Sequence, residues 1–212
     1  FEFHFDSDSE FDHANYDELF SEALIQDAGF LLEPQWRLER IQLKHEIERA
    51  LIPFIRWCNE DGWEFHAAEE RLEGSLWGLH LKGFADAVLL KGNKHLILDY
   101  KKSQSKDRIK RLNSGYDLQT LIYRELYGQQ NELSISTIHS GYYTLNDITL
   151  VLDNNDQTTV DGIEKAHLNV SLTDQSSQAV ALIKDRIKQL TKGIVCLNTL
   201  ADNKTWKGLG VS

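Results

Sequence analysis

The chain has 212 residues, 41% of them hydrophobic and 26% charged, with a formal net charge of −10. That is enough for one sizeable core. No apolar run reaches the roughly eighteen residues of a membrane span, and nothing resembles a signal peptide. An acidic surface repels phosphate, which argues against a generic nucleic-acid coat protein. Two cysteines, Cys58 and Cys196, supply neither a disulfide framework nor a four-cysteine metal site, so a reducing, cytoplasmic setting is expected. A start at Phe1 and the lack of any methionine are expected of a piece of a longer chain.

The first thirty residues are acidic and aromatic and read as an edge strand followed by a helix over Tyr16–Asp27. Apolar residues recur at helical spacing from Trp36 to Asn59, placing Leu38, Ile41, Ile47, Leu51, Ile55 and Cys58 near one face. Pro53 is expected to kink or interrupt that helix. Strand-like segments follow at Phe65–Leu72 and Leu76–Leu90. "KGNK" then makes a hairpin turn, and His95–Lys101 is a nearly continuous apolar run, as a central, doubly covered strand would be. Residues 101–111, "KKSQSKDRIKR", hold six basic side chains against Asp107 alone and read as a basic loop. Tyr116–Tyr127 reads as a helix stopped by Gly128. Ser134–Leu145 and Ile148–Leu152 read as strands, with "NNDQ" as the turn after them. Residues 173–192 form a last amphipathic helix with Val180, Ile183, Ile187 and Leu190 apolar, ended by Gly193. There is no internal repeat, and the whole of 1–212 reads as one domain. Its core is 36–145, its N-terminal elaboration 1–35 and its C-terminal additions 146–212.

Two strand-like runs each end in a carboxylate. Alternation puts Asp86 on the same face as Phe84 and Val88, and Asp99 closes "HLILD". Paired in one sheet, these two carboxylates would repel unless a cation lies between them. Hard oxygen ligands with room for waters and a phosphate suit Mg²⁺ or Mn²⁺. Lys101, two residues beyond Asp99, shares its face and brings an ammonium alongside. Gln119 and Tyr123 are spaced i and i+4, on one helix face. Read singly, D-x-K is a chance pattern, Tyr123 a core aromatic and Gln119 a surface amide. A structural Asp86–Asp99–Lys101 ion cluster in an unrelated α/β domain also fits.

Together these residues resemble the PD-(D/E)XK nuclease superfamily, in particular its RecB-like exonuclease branch. "GFADAVLL" resembles that branch's glycine-x-x-aspartate strand through Gly83 and Asp86. "LILDYKKS" resembles its strand ending in D-Y-K, and "QTLIY" its Q-x-x-x-Y helix. The resemblance covers about residues 36–145. It implies an α/β, restriction-endonuclease-like core in the order α-β-β-β-α-β, with a mixed central sheet flanked by helices and extra N- and C-terminal helices. It implies a Mg²⁺- or Mn²⁺-dependent deoxyribonuclease, expected to be an exonuclease of DNA repair and recombination. Asp86, Asp99 and the Tyr100 carbonyl would hold the metal, and Lys101 would act on the water or the phosphate. Gln119 and Tyr123 would orient the lysine or the DNA backbone. An upstream glutamate, Glu69 or Glu70, would join them, Glu69 matching its place better. The family's metal-binding histidine has His4, His13 and His45 as candidates, His45 being carried forward. The basic run Lys102, Lys106, Arg108, Lys110 and Arg111 would then track the phosphates of DNA. Iron–sulfur relatives need one early and three late cysteines, so no cluster is expected here. Relatives act with helicases, and since no G-x-x-x-x-G-K-[ST] motif is present, a helicase partner or attached domain would supply the motor. The alternative reading is a catalytically silent nuclease fold kept as a DNA-binding or scaffolding module of a repair complex.

Overall fold

The computed structural model describes residues 11–114, 117–152, 164–167 and 177–194. Helix α1 (His13–Asp27) starts where Asp12 accepts a hydrogen bond from the Asn15 N–H at 3.0 Å. Short 3₁₀ turns lead to α2 (Arg37–Asp61). Then come strands β1 (Glu64–Leu76), β2 (Leu79–Lys91) and β3 (Lys94–Lys101), helices α3 (Ser105–Asn113) and α4 (Gln119–Gln130), and strands β4 (Ile138–Thr144), β5 (Thr149–Leu152) and β6 (Glu164–His167). Helix α5 (Ser177–Thr191) is the last described element. The expected edge strand before residue 11, the "NNDQ" turn and Cys196 lie outside the described residues.

The six strands form one sheet in chain order. Strand β3 runs antiparallel to β2 and parallel to β4, so the sheet is mixed. Helix α2 covers one face through Ala50, Phe54, Trp57 and Cys58, which pack on Ala87, Leu89, Leu96, Leu98 and Tyr143. Helix α4 covers the other through Leu126 and Tyr127, against Leu72, Val88, Ile97 and Ile138. Sealed between helices on both faces, β3 has the continuous apolar run of a central strand. The order α2-β1-β2-β3-α4-β4 matches the expected restriction-endonuclease-like core, with α3 inserted and helices added at both ends.

Several local expectations are corrected. Helix α2 continues through Pro53 without interruption. Its buried stripe is Ala50, Phe54, Trp57, Cys58 and Asp61, while Leu38, Ile41 and Ile47 are exposed, because the sheet meets only the C-terminal half of the helix. The basic run is largely helical: from Ser105 it forms α3, which buries Leu112 against Tyr142 and Val151. Gly128 lies inside α4 rather than stopping it, and a Cβ there would meet the Ile135 side chain at 2.9 Å. The β1–β2 hairpin was not anticipated. It turns at Trp77 and Gly78, with φ of 56° and 81°, both positive as a type I′ turn requires. The "KGNK" turn joins β2 to β3 as expected, with positive φ at Gly92.

The alternation of β2 also breaks. Ala67 and Val88 pack with the α4 core, and so do Leu72 and Ala85 farther out, although these differ in parity along each strand. The ladder passes from Ala68–Ala87 to Glu70–Ala85 without a Glu69–Asp86 pair, and Glu69 has a φ of 52°. This irregularity turns the distal hairpin over, so Phe84 is 55% exposed and does not share the face of buried Val88.

Candidate active site

Strand β3 delivers the central group. Asp99 is 3% exposed at the end of the apolar run, beside Tyr142 of the parallel strand β4. Antiparallel pairing of β2 with β3 ends at Ala87–Leu98, so Asp86 stands at the next position, opposite Asp99. Beyond that point the strands part. The Tyr100 N–H has lost its ladder partner and donates instead to Asp86 Oδ2 at 2.6 Å. A backbone donor thus fixes one carboxylate beside the other.

Asp99 is held from two sides. Gln119 Nε2, in the first turn of α4, donates to Asp99 Oδ1 at 2.5 Å. The Lys101 ammonium forms an ion pair with Oδ2. Burial pushes the Asp99 carboxyl above the usual carboxylate range; the Lys101 contact opposes this and nearby Asp86 adds to it. Tyr123, one turn along α4, lies 3.0 Å from the Gln119 amide nitrogen through its hydroxyl and takes the second hydrogen bond of that amide. Its ring lies on Gly83: a Cβ there would stand 2.8 Å from Tyr123 Cε1. The glycine of "GFADA" thus makes room for the tyrosine of "QTLIY", which braces the glutamine that holds Asp99.

The remaining sequence candidates are placed less centrally. The Tyr100 side chain packs on the α2 face against Phe54 and Tyr143, leaving only its backbone beside the carboxylates. Glu69 is exposed at the strand irregularity, and Glu70 receives a 3.4 Å hydrogen bond from Gln130. His45 is 72% exposed and lies 3.5 Å from Glu48, which His13 also contacts. Among the described residues no three His, Cys, Asp or Glu side chains converge into a metal-holding group. Two carboxylates and a carbonyl still suit Mg²⁺, which keeps several waters and needs only one or two protein carboxylates.

The basic run divides. Lys106, Lys110 and Arg111 are exposed on α3, and Lys102 is exposed but paired with Glu46 at 2.7 Å. Arg108 turns inward, with 17% of its side chain exposed. Its Nε donates to Ser103 Oγ at 3.3 Å, its Nη1 lies 3.7 Å from Asp117 Oδ2, and its guanidinium sits 5.3 Å from the Tyr142 ring centre. The Tyr142 hydroxyl donates to Asp117 Oδ1 at 2.6 Å. Sequence spacing gave no sign of Asp117 or Tyr142, because the parallel β3–β4 register alone brings Tyr142 beside Asp99. Nor did it reveal Asp147, which accepts from the Ser105 N–H at 2.8 Å and so caps α3 from the turn between β4 and β5.

A family model for the PD-(D/E)XK nuclease superfamily matches residues 4–203. The chain belongs to that superfamily. Searches of curated proteins and of solved structures return no match. PD-(D/E)XK enzymes are nucleases that cleave phosphodiester bonds and generally use divalent metals such as Mg²⁺. Among the described residues, no helix is long and apolar enough to cross a membrane.

Proposed function

We propose that this PD-(D/E)XK protein is a Mg²⁺- or Mn²⁺-dependent deoxyribonuclease of the RecB-like branch. It acts as an exonuclease in repair and recombination, in a cytoplasmic setting, on DNA supplied by a helicase partner or attached domain. The observation that carries the reading is the convergence of Asp86, Asp99, Lys101 and Gln119 where β2 and β3 part.

Asp86, Asp99 and the Tyr100 carbonyl would hold the metal, which when bound supplies Lewis-acid charge at the phosphate. The protein's own part is positional. The Tyr100 N–H and the Gln119 amide aim the two carboxylates. Asp99 lies buried among apolar strands with the Asp86 carboxylate nearby, so its ionised form is costly without positive charge beside it. Lys101 supplies part of that charge at rest, and its ammonium is placed to offset the charge that grows on a phosphate during attack. Lys106, Lys110 and Arg111 offer an exposed cationic helix face for the backbone of the substrate.

The test incubates linear and covalently closed DNA with Mg²⁺ or Mn²⁺, comparing wild type with Asp99→Ala and Lys101→Ala. Loss of linear DNA in the wild type alone, with closed circles spared, is the expected result. Equal cleavage by all three proteins defeats the proposal. A second reading, a silent nuclease fold kept for DNA binding or scaffolding, draws on the lack of a third ligating side chain at the pair among the described residues. Calorimetric titration with Mn²⁺ separates the two, because a scaffold has no reason to bind the ion.

A further inference from the structure

The inward turn of Arg108 sets it apart from the cations beside it in sequence. Its guanidinium is engaged on three sides, by Ser103, Asp117 and the Tyr142 ring. The same ring has a second cation near it: Lys101 Nζ lies 6.0 Å from its centre. Tyr142 is itself fully buried and tied through its hydroxyl to Asp117, the carboxylate that pairs with Arg108. Arg108, Asp117 and Tyr142 therefore form a closed brace, and its aromatic face lies beside the Lys101 amine. The geometry matters because Lys101 spends its charge on Asp99 in this structure. Whenever Asp99 turns its oxygens to another cation, the ammonium loses that partner. An aromatic ring within about 6 Å offers the ammonium an alternative cation–π partner.

We propose that Arg108 is a positioning residue and not a DNA-backbone contact: with Asp117 it fixes the Tyr142 ring that steadies the Lys101 ammonium beside the scissile phosphate. The inference rests on the nuclease reading for the identity of that phosphate, but the brace can be tested without cleavage. The guanidinium is essential to it, since its fork of donors reaches Ser103 and Asp117 while its charge stays near the ring, which the point charge of an ammonium cannot do.

The experiment uses the full chain in EDTA with a labelled single-stranded oligonucleotide, measuring affinity across a salt series. Lys110→Ala should lower the salt slope by about 0.7, the loss of one phosphate contact on a single strand, while Arg108→Met should leave it unchanged. In ¹³C-lysine-labelled protein, the ε-methylene resonance of Lys101, assigned through Lys101→Arg, should carry an upfield ring-current shift. That shift should disappear in Tyr142→Leu and move in Arg108→Met, but persist in Tyr142→Phe, which keeps the ring. In the cleavage assay Arg108→Met should lower kcat at least tenfold with KM within twofold. A salt slope lowered by Arg108→Met as much as by Lys110→Ala overturns the proposal, as does a Lys101 resonance indifferent to both Arg108→Met and Tyr142→Leu. If wild type binds DNA and shows the lysine shift yet never cleaves, the nuclease reading fails and the brace stands.

Discussion

Gly83→Ala isolates the link between the strand motif and the helix motif. Gly83 does not have a positive φ, so alanine is acceptable to the backbone, and only the contact with Tyr123 opposes it. The new Cβ would stand 2.8 Å from Tyr123 Cε1, whereas carbon–carbon contacts are comfortable from about 3.5 Å. The ring must therefore withdraw by about 0.7 Å. Along the direction of the hydrogen bond, a shift of that size stretches the 3.0 Å Gln119–Tyr123 contact past the usual limit of about 3.5 Å. Overpacking of this kind costs about 1–3 kcal/mol, and the lower chain entropy of alanine returns about 0.4–1 kcal/mol. The expected net loss is about 1–2 kcal/mol, read by urea denaturation. Cleavage should fall much further, on the order of a hundredfold, because Gln119 then no longer holds Asp99 in place. The decisive measurement is the double-mutant cycle with Tyr123→Ala. With the ring gone, Gly83→Ala should become neutral or slightly stabilising, giving a coupling energy of about 1–3 kcal/mol. If Gly83→Ala has the same effect on stability and cleavage with and without Tyr123, the glycine is not there to admit the tyrosine, and the reasoning fails.

In EDTA, Asp99→Asn should raise stability at pH 7.5 and make no difference near pH 3.5. The raised carboxyl favours its protonated form in the fold, so its contribution is fully present below the ordinary value of about 3.9 and is lost as pH rises through the folded value. A less stable Asn variant at pH 7.5 would show that the Lys101 ion pair outweighs burial and repulsion. Asp147→Ala should cost about 1–2 kcal/mol in urea denaturation by uncapping α3. Burial raises the Asp147 carboxyl, but hydrogen bonds from Thr144 and Ser105 outweigh it and hold the group below its usual range. Its contribution is therefore present above about pH 3.9 and lost as pH falls through the folded value, so wild type and variant should converge in acid. Trp77→Gly should raise the thermal midpoint, because it removes a bulky side chain from a φ of 56° that costs on the order of 1 kcal/mol. A lowered midpoint would show that the indole, which lines a cavity with Leu121 and Val180, contributes more than the backbone strain costs.

What could be read from the sequence was whatever local periodicity encodes. The apolar run of β3, the turn at Gly92 and the helical spacing of Gln119 and Tyr123 each depend on neighbours within a few residues. The apolar stripe of α2 was misjudged because periodicity reports which residues share a face but not how much of the helix the sheet reaches. The run 101–111 was read as charge alone, although Ile109 and Leu112 give it a buried side and Asp147 caps it from 42 residues away. Tyr142 and Asp117 were invisible for the same reason, since their relation to Asp99 exists only once β4 lies parallel to β3.

The break in alternation at Glu69 and Asp86 bears directly on where chemistry can occur. A regular β2 would continue its ladder past Ala87 and give the Tyr100 N–H a carbonyl partner. Two carboxylates would then face each other across a closed sheet, an arrangement disfavoured by like charge. Instead the ladder ends, and Asp86 turns to satisfy the backbone donor that the parting strands expose. The opening thus gives the carboxylate a fixed role even in the absence of a cation. The positive φ of Glu69 stores strain of about 1–3 kcal/mol to produce this geometry. Glu69→Gly, which removes the strain while keeping the bend, should therefore raise stability and leave the Asp86–Tyr100 contact intact, visible as continued slow amide exchange at Tyr100. Faster exchange at Tyr100 in that variant would mean that the glutamate side chain, and not the backbone irregularity, holds the strands apart.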